Sequence, residues 1–521
     1  MVDLIIKIGM IVVFFGVMIA VGFYCRKHSN NVDGFVLGGR SVGAWFTAFA
    51  YGTSYFSAVI LVGYSGQFGW RFGIASTWIG LGNALIGSYM AWSILGRKTR
   101  IMTQHLNSRT MPDFFMKRYD SRGLKIGSAL IIFVFLVPYA ASLYNGLSRL
   151  FSMAFSVDYT VCIIIMALLT AIYVIAGGYM ATVINDFIQG IIMIFGIFAI
   201  IAAVLGNFGG FSEALESLAQ VNDTSASTAP GAFTSFFGPD PFNLVAVVIL
   251  TSLGTWSLPQ MTQKFYAIKN EQAITKGTII STLFAVIVAG GCYFIGGFGR
   301  LLSDKVDIAA NGYDSIIPTM FESFSPLLIS FVIVLVLAAS MSTLSSLVLT
   351  SSSTLTLDLI NEVTKKKPEE KKNLLTMRLL ILIFIVISAI IAIVQYKYNL
   401  AFIAQLMGLS WGAMAGAFLG PYLYGLYSKK TTVAAVWVSF ALGTGVMLLN
   451  MFAKSVFPAW LQSPINCGAF VMILSLVVTP LVSLFTKKPD QKLIDGIFSC
   501  YDKTVTVHAK DSIGYGEETN N

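Results

Sequence analysis

The chain has 521 residues, of which 56% are hydrophobic and only 11% charged, with a net charge of +9 and a mean hydropathy of +0.76. Soluble domains carry about 25% charged residues, so this composition excludes a water-soluble protein and predicts an all-α polytopic membrane protein. The five cysteines form no CxxC pair and the three histidines share no ligand spacing. We therefore expect no disulfide framework and no metal centre built from these residues.

Thirteen apolar segments are long enough to cross the roughly 30 Å hydrocarbon core as helices. Their apolar runs are continuous and do not alternate with polar residues, which favours helices over a β-barrel. The predicted membrane helices cover residues 4–24, 42–70, 73–96, 124–151, 157–177, 183–205, 241–262, 275–301, 326–357, 376–396, 400–427, 431–453 and 465–486.

The distribution of basic residues predicts the orientation. An odd number of spans places the termini on opposite sides, and loops rich in Lys and Arg face the cytoplasm. With the N-terminus outside, most of the 34 Lys and Arg residues, Lys264 among them, fall on the cytoplasmic side. We therefore expect a plasma-membrane protein with one transport domain, residues 1–486, and a cytoplasmic tail, residues 487–521. The basic residues fit this topology, so we expect no nucleic-acid partner. No GxxxxGK[ST] loop occurs, so we expect no ATP dependence.

Two predicted helices contain helix-breaking residues near their middle. The second carries Gly52 followed by the mainly polar residues 53–57 (TSYFS), and the seventh carries Gly254 and Pro259. Glycine loosens a helix and proline removes a backbone donor, so carbonyl groups lose their partners within the bilayer. Broken helices at matching positions of two halves are typical of a transporter with a binding site near the bilayer midplane.

The two broken helices lie five helices apart, which predicts two five-helix repeats of opposite topology. The first repeat covers about residues 42–205 and the second about residues 241–427. Three further predicted helices lie outside the repeats, at residues 4–24, 431–453 and 465–486.

Hydroxyl side chains concentrate in the ninth predicted helix. Ser342, Ser345 and Ser346 are spaced so that their side chains share one helical face. Hydroxyl, carbonyl and carboxylate oxygens are the ligands that hard cations prefer, so this face is a candidate cation site. The alternative is that small Ser and Ala residues only allow close helix packing.

Asp186 is the one acidic residue that the sequence places well inside the core helices. A carboxylate at that depth costs about 2.5–3.5 kcal/mol on insertion scales unless it is compensated. Because no Lys or Arg is expected at the same depth, a bound cation is the expected partner. The alternative is a position at the cytoplasmic mouth of the sixth helix, where water reaches the carboxylate.

Three motifs carry a family resemblance: residues 38–43 (GGRSVG), residues 177–179 (GGY) and residues 339–345 (ASMSTLS). Together they resemble the sodium:solute symporter family, the sodium/proline branch in particular, and the likeness runs over nearly the whole chain. The resemblance implies thirteen helices with a leucine-transporter-type inverted repeat. It also implies sodium-coupled import of a small organic solute by alternating access, by a protein acting as a monomer. With no His or Cys expected beside a membrane carboxylate, we do not expect an enzyme.

The resemblance also implies the positions of the cation ligands. A shared sodium site would use the carbonyls of Thr53, Phe56 and Ala339 and the hydroxyls of Ser342 and Thr343. A second sodium site, present in some members, would use Asp186, Ser342, Ser345 and Ser346. Arg40 matches an arginine that is important in the proline branch, and its alternative role is that of a positive-inside anchor.

Candidate substrate contacts are the neutral polar and aromatic side chains near the breaks and on the fourth helix: Ser54, Tyr55, Ser57, Gln67, Tyr139, Thr255, Trp256 and Gln260. They suit an uncharged or zwitterionic solute, with an amino acid such as proline favoured. A small carboxylate, a vitamin or a sugar are the alternatives, because Tyr55 stands where the proline branch has an aspartate. A solute sensor or a channel built on the same helices also remains open.

Overall fold

The computed structural model describes residues 2–26, 29–155, 158–221, 230–308, 312–364, 369–398 and 403–502. The distal part of the predicted tail, residues 503–521, lies outside these ranges. Every regular element within them is helical, apart from one isolated backbone bridge between Val42 and Ile268. The prediction of an all-α protein is confirmed.

Each of the thirteen predicted segments has a helical counterpart. The principal helices are α1 (Val2–Cys25), α2 (Ala44–Tyr55), α3 (Ser65–Phe72), α4 (Thr77–Gly82), α5 (Arg97–His105), α6 (Arg122–Phe155), α7 (Tyr159–Asn207), α8 (Pro241–Leu253), α9 (Pro259–Ala267), α10 (Glu271–Gly296), α11 (Pro326–Thr354), α12 (Glu370–Tyr398), α13 (Ile403–Tyr427), α14 (Val433–Phe452), α15 (Pro464–Phe485) and α16 (Gln491–Phe498). Shorter helices lie between them, at Val32–Leu37, Met111–Tyr119, Phe211–Gln220, Ile316–Phe321 and Asn361–Thr364.

Length and composition identify nine membrane-crossing helices in the described ranges, and two bent helix pairs raise the number to 11. The difference from thirteen arises at two places in the chain. One bent pair, Ala44–Tyr55 with Val59–His105, contains both the second and the third predicted segments, and Gly73 (φ +60°) lies where the third begins. Gly178 (φ +58°) breaks α7, and the part before it contains a shorter apolar helix, Tyr159–Ile172. A positive φ is cheap only for glycine, which explains why both turns occur there.

Both predicted helix breaks are present. α2 is bent by 49° against the helical segment that follows it, and the segment ending at Trp256 is bent by 41° against α9. Phe56 and Leu258 have extended backbone angles at the two breaks. Pro259 then begins α9, where its fixed φ suits a helix start and its missing N–H removes no intrahelical bond.

Polar side chains determine where several helices begin. Asp240, Asn270, Ser325 and Thr432 each accept a hydrogen bond from a backbone N–H in the first turn of the helix that follows. Such caps satisfy donors that have no partner inside the helix. They fix the starts of α8, α10, α11 and α14.

α11 and α13 lie at the centre of the bundle and are almost wholly buried, whereas α1 and α12 expose long apolar side chains outward. The Ser, Ala and Thr residues of α11 are small, so its backbone approaches α6 and α7 closely. This packing brings the polar stretch of α11 against the break at the end of α2.

The first part of the predicted tail folds back onto the bundle. α16 buries Ile494, Ile497 and Phe498, and the guanidinium of Arg118 lies 5.0 Å from the centre of the Phe498 ring. The His105 side chain also lies within hydrogen-bonding distance of the Gly496 carbonyl, at 3.0 Å.

Candidate functional site

Five oxygen atoms from α2 and α11 meet at the break in the second predicted helix. The Ser342 hydroxyl donates to the carbonyls of Thr53 and Ala339, both at 3.1 Å. The Thr343 hydroxyl lies 3.1 Å from the Thr53 carbonyl, 3.3 Å from that of Ala339 and 3.5 Å from that of Phe56. The structure thus brings together all five residues expected for the shared sodium site.

The local backbone explains this convergence. The carbonyls of Thr53 and Phe56 stand at the end of α2, where intrahelical donors run out. Ser342 and Thr343 are adjacent on α11, and both hydroxyls fold back toward the Ala339 carbonyl while still reaching α2. All five residues are fully buried, so no bulk water competes for these oxygens.

The separations between the two hydroxyls and the three carbonyls are compatible with a cation of the size of Na⁺. Sodium and calcium ions have nearly the same radius, and oxygens about 2.4 Å from such an ion lie about 3.4 Å apart when they subtend a right angle. The separations of 3.1–3.5 Å match this value. When an ion binds, the two hydroxyl protons turn away and the hydroxyl oxygens become ligands. The arrangement can therefore hold a desolvated monovalent cation.

The surroundings of Asp186 differ from the expectation. Lys264, on α9, lies with its Nζ 3.7 Å from Oδ2 of Asp186, and the two side chains are 1% and 0% exposed. The expectation that no basic residue reaches the depth of Asp186 was wrong, because Lys264, which the sequence counts with the cytoplasmic basic residues, is buried within the bundle. Full burial of Asp186 also rules out the alternative of a water-filled mouth. The sequence does not place Lys264 at this depth because it lies just beyond the end of the predicted helix 241–262, and only its neighbours Phe265 and Tyr266 indicate burial.

Two of the serines expected around Asp186 contact other groups. Ser346 Oγ accepts a hydrogen bond from Lys264 Nζ at 3.1 Å and lies 2.9 Å from Ser54 Oγ. Ser54, expected to contact substrate, therefore belongs to this ionic cluster instead. The Ser345 hydroxyl donates to the Ser342 carbonyl within its own helix, at 2.9 Å.

A second group of buried polar atoms lies around the two breaks. The hydroxyls of Tyr55, Tyr139 and Ser257 and the amide of Gln260 have no hydrogen-bond partner among the described residues. Buried polar groups are normally paired, so such a cluster indicates a place for water or a polar ligand. The ring of Trp411, which the sequence analysis did not select, lies 5.9 Å from that of Tyr139 between ring centres.

Trp411 also fixes the position of these groups in the bundle. A Cβ added at Gly254 would come within 2.5 Å of the Trp411 ring, so the indole of α13 lies directly against the break of the seventh predicted helix. Ala58, at the other break, packs against Gly146 of α6, two turns after Tyr139. Ser257 stands at one break and Tyr55 and Gln260 stand beside the two breaks, and Tyr139 and Trp411 lie on the helices that pack against these breaks. We name the five residues Tyr55, Tyr139, Ser257, Gln260 and Trp411 the central polar chamber.

Other expected substrate contacts point elsewhere. Thr255 donates to the Gly87 carbonyl at 2.8 Å, and Trp256 Nε1 donates to the Ile86 carbonyl at 2.9 Å, so both side chains pack against the third predicted helix. The expectation that these two residues contact substrate does not fit this arrangement, because their donors are already paired. Ser57 Oγ accepts from the Val59 N–H at 3.2 Å and caps the segment after the break.

Gln67 lies on α3, half-buried, beyond the π-helical turn Val59–Tyr64. Its side-chain oxygen has no hydrogen-bond partner in the ranges that the structure describes. No hydrogen bond joins it to Tyr139 or Gln260 in the described ranges, so its role as a substrate contact stays a prediction.

Backbone contacts join the N-terminal end of one broken helix to the C-terminal end of the other. Lys269 N–H donates to the Val42 carbonyl at 2.9 Å, and the Val42 N–H reaches the Ala267 carbonyl at 3.3 Å. Arg40, with φ +55°, donates to the Tyr266 carbonyl at 3.3 Å, at the C-terminal end of α9. A cation there complements the partial negative charge of a helix end. Burial lowers the pKa of Arg40 from its ordinary value.

An ion pair joins the C-terminal end of α3 to the start of α8. The Nη2 atom of Arg71, at the end of α3, lies 2.6 Å from Oδ2 of Asp240, and Asp240 caps the start of α8. Burial alone would raise the pKa of Asp240, but hydrogen bonds from Asn243 and Arg71 outweigh it and lower this pKa below its ordinary value.

The profile of the sodium:solute symporter family matches residues 35–443. The chain belongs to the sodium:solute symporter family. Among curated relatives of this symporter, the osmoregulated proline transporter OpuE of Bacillus subtilis (strain 168) is 27% identical over 498 residues, covering 94% of this chain and 96% of the relative. A sodium/proline symporter of Staphylococcus aureus (strain JH9) is 29% identical over 495 residues, covering 92% and 93%.

Among solved structures, the symporter is similar to a sodium-coupled sialic acid symporter in a substrate-bound outward-open state. The TM-score is 0.74 at 16% identity, with 93% of this chain and 99% of the other covered. At this identity the likeness concerns the fold alone, and it confirms the leucine-transporter type of architecture that the sequence predicted.

Proposed function

We propose that this symporter imports a small neutral or zwitterionic organic solute together with sodium, and that the solute is an amino acid, with proline favoured. The observation that carries the sodium assignment is the meeting of the Ser342 and Thr343 hydroxyls with the Thr53 carbonyl across the α2–α11 contact. Membership in a sodium:solute symporter family supports sodium over other monovalent cations.

The central polar chamber is the proposed solute site. Its unpaired groups are hydroxyls and one carboxamide, which can bind both ends of a zwitterion or the polar groups of a neutral solute. The rings of Tyr139 and Trp411 supply apolar surface for a compact side chain. The names of the two relatives, a proline transporter and a sodium/proline symporter, favour proline among such solutes.

Sodium would couple to the solute through α2. An ion held by the Thr53 and Phe56 carbonyls stabilises the break that separates α2 from the following segment, and Tyr55 of the chamber lies between these two residues. Sodium and solute would each favour the occluded form, since a ligand shifts a conformational equilibrium only by its differential affinity for the two states.

Alternating access would require the two end contacts to open in turn. Opening inward breaks the backbone bridge at Val42 and the Arg40 contact, whereas opening outward separates Arg71 from Asp240. One sodium ion entering at about −100 mV gains about 2.3 kcal/mol, and a tenfold gradient adds about 1.4 kcal/mol. That sum supports roughly 500-fold accumulation of a neutral solute.

We further propose that the protein lies in the plasma membrane with its N-terminus outside and its C-terminus in the cytoplasm, and that a monomer is the transporting unit. The basic residues around α5 and α6, with the adjoining α16, support a cytoplasmic position for that face. The repeat boundaries, about 42–205 and 241–427, belong to the same proposal.

The test is uptake of radioactive proline by proteoliposomes with an inward sodium gradient, compared with an equal potassium gradient. Concentrative uptake with sodium alone is expected. A panel of amino acids, small carboxylates, vitamins and sugars then competes for uptake. Stimulation by potassium as strong as by sodium would refute the sodium assignment. If proline does not accumulate but another amino acid does so with sodium, only the choice of proline is wrong. If only a small carboxylate, a vitamin or a sugar accumulates with sodium, sodium coupling stands and the amino-acid assignment is wrong.

A further inference from the structure

The ion pair between Asp186 of α7 and Lys264 of α9 lies entirely within the protein. The Nζ to Oδ2 distance is 3.7 Å and neither side chain is more than 1% exposed. The carboxylate oxygens have no hydrogen-bond partner in the described part of the chain, so the ammonium supplies their charge compensation. Removing one partner of a buried pair is strongly destabilising, because the other charge is left uncompensated.

The ammonium also occupies the polar side of α11. It donates to Ser346 Oγ at 3.1 Å, and Ser346 Oγ in turn lies 2.9 Å from Ser54 Oγ of α2. The Tyr179 ring lies 5.3 Å from the ammonium, between Nζ and the ring centre. The Asp186 carboxylate and the Ser346 hydroxyl therefore contact Lys264 Nζ, and these are two of the four groups expected around a second sodium ion.

We propose that Lys264 is the resident cation of this second site, so that the symporter binds and couples one sodium ion. This inference rests on the proposed sodium coupling at the α2–α11 contact. A sodium ion at Asp186 would have to displace the ammonium, which is attached to the chain and therefore present at high effective concentration. Placing both beside one carboxylate would put two positive charges against one negative charge in a site without bulk water.

The resident cation is adjacent to the proposed sodium site. Ser346 lies one turn beyond Ser342 on α11, and Ser54 follows Thr53 on α2, so the two clusters share both helices. The Lys264 side chain connects α9 to these two clusters. Unlike a sodium ion, it is part of the protein and is not released on either side of the membrane. It therefore contributes no transmembrane ion gradient, and a tenfold sodium gradient at zero potential should support tenfold accumulation of a neutral solute rather than a hundredfold.

The experiment counts bound sodium on the purified full-length protein, using radioactive sodium in a scintillation-proximity assay. One ion per chain is expected for the wild type. Two ions per chain would overturn this inference while leaving sodium coupling intact. Absence of specific sodium binding would instead overturn the proposed function, and this inference with it.

Three variants test the part played by the lysine. Lys264→Met keeps the length of the side chain and removes its charge, so a second ion should bind beside Asp186 and the count should rise to two. Lys264→Arg keeps a cation and should remain at one. The double variant Asp186→Asn/Lys264→Met removes both charges and should also remain at one. A folded Lys264→Met protein that binds one ion would overturn the inference, and if that variant does not fold, the wild-type count still decides.

Discussion

Replacing Ser342 with alanine removes one of the two hydroxyls at the proposed sodium site. The remaining ligands would be the Thr343 hydroxyl and three carbonyls. An interaction between a hydroxyl and a charged group contributes about 1.5–3 kcal/mol. Since about 1.4 kcal/mol corresponds to a factor of ten, we expect the Ser342→Ala variant to bind sodium about 10- to 150-fold more weakly than the wild type.

Thermal unfolding in a sodium titration measures this change. A ligand at 100 times its Kd stabilises the folded state by about 2.7 kcal/mol, whereas after a hundredfold loss of affinity the same concentration gives only about 0.4 kcal/mol. Sodium-dependent uptake should show the same shift in half-saturating concentration.

Ser352→Ala is the matched control. Ser352 is a buried residue of the same helix, and its hydroxyl donates to the Leu349 carbonyl within that helix. Its substitution should leave the sodium dependence within about twofold of wild type, well under 1 kcal/mol. Wild-type sodium affinity in the Ser342→Ala variant would refute the assignment of the site.

Gly443→Ala places a Cβ 2.2 Å from the Ala417 backbone nitrogen, so we expect about 1–3 kcal/mol of destabilisation in thermal unfolding. Gly445→Ala, on the same helix with open space around its Cβ, is the control, and an equal loss in both variants would contradict this explanation. Asp240→Asn keeps a capping side chain but removes the ion pair with Arg71, and should cost no more than about 1 kcal/mol at pH 6 because the pair is partly exposed. Because the pKa of Asp240 is lowered in the folded protein, that contribution is complete above the ordinary value of 3.8, decreases as the pH falls below it, and is lost as the pH passes through the folded-state pKa. A difference between wild type and variant that is as large at pH 3 as at pH 6 would show that charge is not its source.

The sequence was sufficient for the features that depend on local chemistry. Long apolar runs must form helices in lipid because every backbone group needs a partner, so the membrane helices follow from hydropathy. Pro259 cannot continue a helix, and the break before α9 lies at Leu258. The residues of the α2–α11 contact came from the family resemblance together with the hydroxyl-rich face of α11.

Tertiary structure alone decided which side chains meet. Thr255 and Trp256 were expected to face the solute, but the rotation of the segment around the break turns both toward the third predicted helix. Trp411 reaches the break only because α13 packs against Gly254. Helix rotation is set by packing against neighbours, which hydropathy does not encode.

The position of Lys264 shows that the sequence also does not predict which charged side chains meet inside the protein. Counted along the chain, it belongs with the cytoplasmic basic residues, because the sequence does not reveal how deeply α9 re-enters the bundle after the break. Packing of α9 against α2 and α11 carries the ammonium to Asp186. The sequence therefore determined that an acidic group in the membrane needed a positive partner. Only the three-dimensional arrangement of α7, α9 and α11 decided that this partner is a lysine of the chain itself, because the cost of a buried charge depends on its neighbours in space.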